Sequence, residues 1–117
     1  MGYQYEVSCH AVHVEEVTLP PNSTLHATLE DVSQEPCKVV ARSIVNNVQF
    51  LGLPVQARGL GFGFRLAQSQ YTRDHEYVIN ARIVTAGELR FISKKPVSVD
   101  PAYQHFRAID VELILAD

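Results

Sequence analysis

The stretch from Asp74 to Ile92 reads DHEYVINARIVTAGELRFI, and it decides the fold. Apolar and polar side chains alternate along its first half, so that one face carries Tyr77, Ile79, Ala81 and Ile83. A period of two is typical of a β-strand with one buried face. Turn residues from Thr85 to Glu88 separate this strand from a second segment that ends at Ile92. The pattern therefore predicts a central β-hairpin.

Because a hairpin cannot cover its own apolar face, other segments must complete the core. Segments suited to this lie at Tyr3–Ala11, Leu25–Leu29, Val39–Val45, Phe62–Leu66, Val97–Val99 and Ile109–Leu115. Their spacing, with turn residues between them, predicts an all-β protein. We expect a two-sheet antiparallel β-sandwich of seven or eight strands, immunoglobulin-like or related, that forms a single domain over residues 1–117.

Tyr77 stands just before the best strand, after the turn Asp74-His75-Glu76. This arrangement resembles the tyrosine corner of immunoglobulin-like sandwiches, in which a tyrosine hydroxyl bonds back to the chain a few residues upstream. Tyr77 could equally be a core aromatic with its hydroxyl at the rim.

The composition excludes some classes of protein. With 46% apolar and 20% charged residues, the chain is typical of a globular protein. The formal net charge is -3 and the basic residues are scattered, so we expect no nucleic-acid binding. No apolar run is long enough for a membrane span. The start, Met1 to Glu6, has no signal-peptide pattern, so either the protein is cytoplasmic or a leader has been removed from this sequence.

Two cysteines, Cys9 and Cys37, permit one disulfide. If the first two strands pair as a hairpin about Pro20-Pro21, Cys37 lies about 20 Å beyond the partner of Cys9, at roughly 3.3 Å per residue. A bridge then requires the chain to turn back after Pro36. The alternative is two free thiols, buried or half-buried.

We find no residues arranged for catalysis, and we expect no catalytic site, metal or cofactor. His10 and His13 fall on opposite faces of a strand, and a surface pair of His10 with His26 needs the first two strands to pair. The segment Asp74-His75-Glu76 is typical of a turn rather than of a general base. The glycines from Gly59 to Gly63 lead into a strand, where glycine marks a bulge or a close approach of another backbone.

The candidate binding surface is the stretch from Asn46 to Gly61, which reads as a long loop or an irregular edge. Its apolar residues are Phe50, Leu51, Leu53, Pro54 and Val55. They either cap one end of the sandwich or form an exposed patch that binds a partner protein.

Five segments, in this order, resemble the YbaY/YscW family of small bacterial lipoproteins. They are Val17 to Leu25 (VTLPPNSTL), Leu29 to Ser33 (LEDVS), Phe62 to Leu66 (FGFRL), Tyr77 to Ile83 (YVINARI) and Gly87 to Ile92 (GELRFI). The sequence differs from the family pattern in two respects. Cys9 lies in an alternating strand rather than in a lipobox, and the stretch from Leu51 to Gly61 is longer than in the family.

The resemblance implies a β-sandwich that is anchored to the outer membrane by a lipidated cysteine and faces the periplasm. Some members of the family are pilotins, the lipoprotein chaperones that carry a type III secretion secretin to the outer membrane. The first hypothesis is therefore a non-enzymatic chaperone that binds a secretin or another envelope protein. An alternative is an envelope lipoprotein with a structural or small-ligand role, which a deep pocket lined by Phe62, Phe64 and Phe91 would favour. An enzyme is a third hypothesis.

Overall fold

The computed structural model describes residues 4–13, 22–48, 55–102 and 108–116. These residues form eight strands and one short 3₁₀ turn, so the all-β prediction is confirmed. The strands are β1 (Gln4–His13), β2 (Ser23–Asp31), β3 (Lys38–Val48), β4 (Val55–Ala67), β5 (Tyr77–Thr85), β6 (Glu88–Ser93), β7 (Val97–Val99) and β8 (Ile109–Leu115), and the 3₁₀ turn is Gln68–Gln70.

The predicted central hairpin is confirmed. Strands β5 and β6 pair antiparallel, with Thr85 opposite Glu88 at the turn. The two residues between them have positive φ angles, 50° at Ala86 and 83° at Gly87. Two consecutive positive angles are those of a type I′ turn, whose twist matches that of the flanking strands. The turn therefore fixes the register next to it, and the register shifts once, between Val84 and Ile83.

The strands follow one continuous path rather than two separate sheets. Their order is β3-β2-β5-β6-β8-β1-β4, and β7 pairs with β5 outside this path. Strand β8 joins the two halves: residues 109–112 pair with β1 in parallel, whereas residues 113–115 pair with β6. The two-sheet division that we expected is therefore not observed, because one strand belongs to both halves and the sheet curves into a nearly closed, barrel-like form.

Strand β1 pairs with β4 and β8, not with β2. The conditional hairpin about Pro20-Pro21 is therefore wrong, and so is the pairing of His10 with His26 that depended on it. Asp110 lies beside His10 on β8, and Arg82 and Ile44 lie beside His26 on either side of β2. Periodicity assigns each residue to a face, but it does not identify the neighbouring strand.

The apolar faces of the strands meet in one core. Side chains of β5 at the predicted period-two positions are buried, and Ile79 and Ile83 are fully inaccessible. The largest buried side chains are Tyr77, Phe91, Leu25, Leu29, Leu66, Ile79, Ile83, Leu113 and Val111. Gly63 shows why β4 carries glycine: a Cβ there would lie 2.9 Å from the carbonyl oxygen of Val7. The close approach of another backbone, predicted for this glycine segment, is therefore present at Gly63.

The predicted loop from Asn46 to Gly61 is shorter in the structure, since β3 continues to Val48 and β4 begins at Val55. Val48 pairs with Ser23 of β2, and Val55 pairs with His13 of β1. Ladder bonds to these neighbours hold an extended backbone despite the asparagines and glycines in the sequence. The described part of the chain holds no helix whose length and apolar character would suit a membrane span.

Strands β3 and β4 are the first and the last strand of the sheet path. Because the sheet is nearly closed, they lie side by side, although among the described residues no ladder joins them. We call this gap the seam. Gln70, at the end of the 3₁₀ turn, bridges it. Its side-chain oxygen accepts a hydrogen bond from the backbone N–H of Ala67 at 2.9 Å, and its Nε2 donates to the carbonyl oxygen of Val40 at 3.2 Å. One side chain thus ties the end of β4 to β3.

The two cysteines are free, and they differ in environment. Cys9 is 1% exposed within the core, whereas Cys37 lies on the surface of the β2–β3 connection. Burial raises the pKa of the Cys9 thiol to about 12. Of the two alternatives left by the sequence, the structure has the free thiols, although one of them is exposed rather than buried or half-buried.

We expect Gln70→Ala to lower the free energy of unfolding by about 1 kcal/mol, because it removes the bond across the seam to Val40 together with the local bond from Ala67. Urea denaturation measures the loss, and hydrogen exchange should show faster exchange at β3 amides. Gln68→Ala is the matched control, since Gln68 is an exposed glutamine of the same 3₁₀ turn. Equal losses in the two variants would contradict the bridging role of Gln70.

The thiols should differ in reactivity. In the native protein we expect Cys37 to react with a thiol reagent at pH 8, while Cys9 reacts only in denaturant, because the thiolate is the nucleophile and Cys9 is buried and protonated. Stopped-flow titration with a disulfide reagent, in buffer and in denaturant, counts the thiols that react in the native protein and those that react only after unfolding. Cys37→Ser should abolish the fast phase, and a fast phase that survives this change would show that Cys9 is accessible.

Candidate binding surfaces

The predicted partner-binding residues Phe50, Leu51, Leu53 and Pro54 lie outside the described residues. Val55 is the first residue of β4, although its side chain also lies outside the described part of the structure. The segment connects the end of β3 to the start of β4, which are the two strands that border the seam. Its role in binding a partner remains a prediction.

A cleft of about 550 Å³ lies near the opposite end of the strands. One wall is the turn between β4 and β5, from Tyr71 to Tyr77, and the other is the end of β7, from Ser98 to Asp100. These two segments meet because β7 pairs with the first residues of β5, with Val99 opposite Tyr77. We call this feature the tyrosine cleft.

The tyrosine corner that the sequence suggested is present in the cleft. The Tyr77 hydroxyl accepts a hydrogen bond from the backbone N–H of Thr72 at 2.7 Å. Tyr77 is 1% exposed, so this bond satisfies a polar atom at the edge of the core. The bond spans five residues and closes the β4–β5 turn against the strand that follows it.

Two further aromatic contacts fix the floor of the cleft. Tyr71 stacks on Tyr77 with ring centroids 5.6 Å apart and an interplanar angle of 19°. Tyr5 of β1 packs its ring edge-on against Tyr71, at 5.2 Å. The Tyr71 hydroxyl donates a hydrogen bond to Asp100 at 3.2 Å. Desolvation and the Asp100 carboxylate raise the pKa of Tyr71, so the phenol stays neutral.

A buried carboxylate connects the cleft wall to the β2–β3 turn. The Asp31 side chain is 1% exposed and accepts hydrogen bonds from the backbone N–H of Ser33, at 3.0 Å, and from Gln34 Nε2, at 2.8 Å. Its Oδ2 also lies 2.7 Å from Nδ1 of His75. Glu76 joins the same two turns, because its N–H donates to Ser33 Oγ and its carbonyl accepts from Val32 N–H.

The balance of opposing effects lowers the pKa of Asp31. Desolvation is the largest effect and raises the pKa, but the hydrogen bonds from Gln34, His75 and Ser33 together outweigh it. Asp31 is therefore ionised in the folded protein at neutral pH. Its carboxylate holds the β2–β3 and β4–β5 turns together.

The predicted turn is present but begins earlier, from Thr72 to His75: His75 N–H bonds to the Thr72 carbonyl, and Asp74 adopts a φ angle of 70°. Glu76 follows the turn. The imidazole of His75 is half-buried and is held by Asp31. In the described ranges, no group of three or more His, Cys, Asp or Glu side chains could hold a metal ion. The Asp31–His75 pair thus joins two turns.

The sequence analysis did not identify Asp31, although a signal was present. Asp31 follows Leu25, Ala27 and Leu29 at the same period of two, and all four side chains are buried. An acidic residue in phase with a buried face must be paired or bonded. The cleft itself carried no such signal, because its walls are brought together only by the pairing of β5 with β7.

We expect Asp31→Asn to lower the free energy of unfolding at pH 6 by about 1–3 kcal/mol, because the partly buried donors around Asp31 lose a charged acceptor. A lowered pKa in the folded state contributes stability above the unfolded value of about 3.9, and this contribution is lost as the pH falls through the folded pKa. The free energies of unfolding of the native protein and of Asp31→Asn should therefore become more similar below about pH 4.

Urea denaturation between about pH 3 and pH 6 tests this pH dependence. Asp110→Asn is the control, since Asp110 is exposed on β8. A difference between Asp31→Asn and the native protein that stayed constant down to the lowest pH would contradict the role of the ionised carboxylate.

Comparison with known proteins relates this architecture to bacterial secretion. A search of curated proteins found no match. The chain is similar to an alternative pilotin from the type II secretion system of Vibrio cholerae, with 22% sequence identity and a TM-score of 0.72 over 97% of this chain and 100% of that one. At this identity the likeness shows a shared fold. The family model described as type III secretion system lipoprotein chaperone (YscW) matches residues 4–111, and the protein therefore belongs to that family of secretion chaperones.

Proposed function

We propose that this protein is a non-enzymatic chaperone of the pilotin type, which faces the periplasm at the outer membrane and binds a segment of a secretin. The observation that carries the proposal is the family match over residues 4–111. The protein from Vibrio cholerae that shares the fold is also a pilotin, there from a type II secretion system.

The seam is the surface that best fits an extended partner segment. Among the described residues β3 has a ladder partner on one side only, which leaves part of its backbone edge available for added hydrogen bonds. Ile44 of β3 is 58% exposed, the highest value among the exposed large apolar residues of the described ranges. The apolar stretch Phe50, Leu51, Leu53, Pro54 and Val55 connects the two strands of the seam, and we propose that it supplies the side-chain contacts.

The second candidate is an envelope lipoprotein with a structural or small-ligand role. It was expected to have a pocket lined by Phe62, Phe64 and Phe91. These three rings are at most 8% exposed and belong to the packed core, where Phe62 and Phe64 meet edge to face at 5.9 Å. Because these rings fill the core, they do not line a pocket for a small ligand, and this supports the protein-binding proposal.

The test is binding to the secretin of the same bacterium, measured by calorimetry with purified secretin segments. We expect Leu51→Asp with Leu53→Asp to weaken binding roughly tenfold or more, because a few apolar anchors carry most of the binding free energy. Leu89→Asp is the matched control, since Leu89 is an exposed leucine of the β5–β6 hairpin.

Two outcomes would oppose the proposal in different ways. If no secretin segment binds the native protein, the pilotin function is wrong. If a segment binds and the double variant binds equally well, the function stands, but the binding surface lies elsewhere. Thermal unfolding of each variant separates a loss of binding from a loss of folding.

A further inference from the structure

One side-chain amide closes the end of the seam beside the 3₁₀ turn. Gln70 Nε2 donates a hydrogen bond to the Val40 carbonyl of β3, and Gln70 Oε1 accepts one from the Ala67 N–H of β4. Exchanging the two atoms would set a donor against the N–H and an acceptor against the carbonyl, so the partners fix the orientation of the amide. In the described ranges, no other side-chain hydrogen bond and no ion pair crosses the seam.

The Gln70 amide makes the two hydrogen bonds that a peptide unit of an added strand would make. In an inner strand, the N–H of a peptide unit donates to one neighbouring strand and its C=O accepts from the other. The Nε2 and Oε1 atoms of Gln70 do the same towards β3 and β4. The side chain therefore occupies the place of one peptide unit and uses an acceptor that an added strand needs.

The acceptor on β3 is the extra residue of a β-bulge. Leu29 of β2 pairs with Ala41, and Glu30 pairs with Val39, so Val40 has no residue opposite it. A bulge leaves its extra residue outside the regular ladder. Val40 is 7% exposed, and a buried carbonyl that loses its donor costs free energy. A segment that takes the place of the amide must therefore supply a donor to this carbonyl.

The Gln70 side chain itself can leave the seam at little cost. Gln70 is exposed, so water can bond to its amide once the amide turns outward. The Ala67 N–H, its other partner, is bonded on the exposed side of the turn and can be hydrated in the same way. The bridge is thus held by groups that water or another donor can satisfy.

The rest of the seam has room beside it but is too narrow for a strand. Cα atoms of β3 and β4 approach within 8 Å of one another, whereas an inner strand needs its two neighbours about 9.5 Å apart. A cleft of about 470 Å³ lies on the seam, lined by Arg42 of β3, by Gly63, Phe64 and Arg65 of β4 and by residues 6–8 of β1. An added segment must therefore move the strands apart, besides replacing the amide.

We infer that Gln70 controls access to the seam: its side chain closes the seam in the free protein, and an extended segment of the partner protein displaces it from Val40. In naming a partner segment, we rely on the proposed function. A variant without the bond to Val40 should lose stability but gain affinity for the segment, because nothing then competes for the carbonyl. Replacing a residue that only stabilised the fold would not raise the affinity.

Gln70→Glu isolates the bond to Val40. A carboxylate keeps an acceptor for the Ala67 N–H, but it has no donor for the Val40 carbonyl, because glutamate is ionised at neutral pH. Gln68→Glu is the matched control, since it adds the same charge at an exposed position of the same 3₁₀ turn. Thermal unfolding checks that both variants fold.

The first measurement is hydrogen exchange of the protein alone. We expect amides of residues 40–46 in β3 to exchange roughly threefold or more faster in Gln70→Glu than in Gln68→Glu, because the seam opens more often. Equal exchange in the two variants would overturn the closing role of Gln70, whatever the secretin does.

The second measurement is calorimetry with a secretin segment that binds the native protein. We expect the segment to bind Gln70→Glu roughly two- to tenfold more tightly than Gln68→Glu, the range for one net hydrogen bond. In the native protein, the side-chain amide resonance of Gln70 should shift on binding, while that of Gln68 stays in place.

The outcomes separate this inference from the proposed function. If a segment binds the native protein but binds Gln70→Glu no more tightly than Gln68→Glu, the displacement is wrong and the function stands. If no segment binds the native protein, the proposed function is wrong and the displacement with it. Hydrogen exchange alone then decides whether Gln70 closes the seam.

Discussion

The structure depends on the division of β8 between two neighbours. Residues 109–112 pair with β1, and residues 113–115 pair with β6, so one strand near the end of the chain closes the sheet onto the first strand. Val111 and Leu113, one in each half, are fully buried. Without β8, the part built from β1 and β4 would share no ladder with the other described strands, and the apolar faces of both parts would lose their common core.

The side of each strand that is buried was predictable, because it depends on local sequence. Which strands pair with one another was not predictable. Burial of Tyr77, Ile79 and Ile83 follows from alternation alone, and a turn at this place follows from Gly87, whereas the positive φ angle of Ala86 does not follow from residue type. The parallel pairing of β1 with β8 depends on backbone hydrogen bonds, which carry almost no sequence signature. The expected sandwich failed for the same reason: alternation does not reveal that one strand belongs to both halves of a sheet.

The same distinction applies to the candidate surfaces. The apolar stretch after Asn46 was visible because unusual composition can be read locally. The tyrosine cleft was not visible, since its walls are separated by more than twenty residues in the sequence and meet only through the ladder of β5 with β7. Asp31 is an intermediate case: its phase on β2 was readable, but its partner His75 was identifiable only in three dimensions.

The two ends of the strands differ in how they are held. At one end, Asp31, His75 and the tyrosine corner lock two turns together, and the cleft opens beside them. At the other end, β3 and β4 are joined by the apolar stretch, and the seam runs between the two ends. Strand β2 spans nine residues between these ends, a distance of about 30 Å.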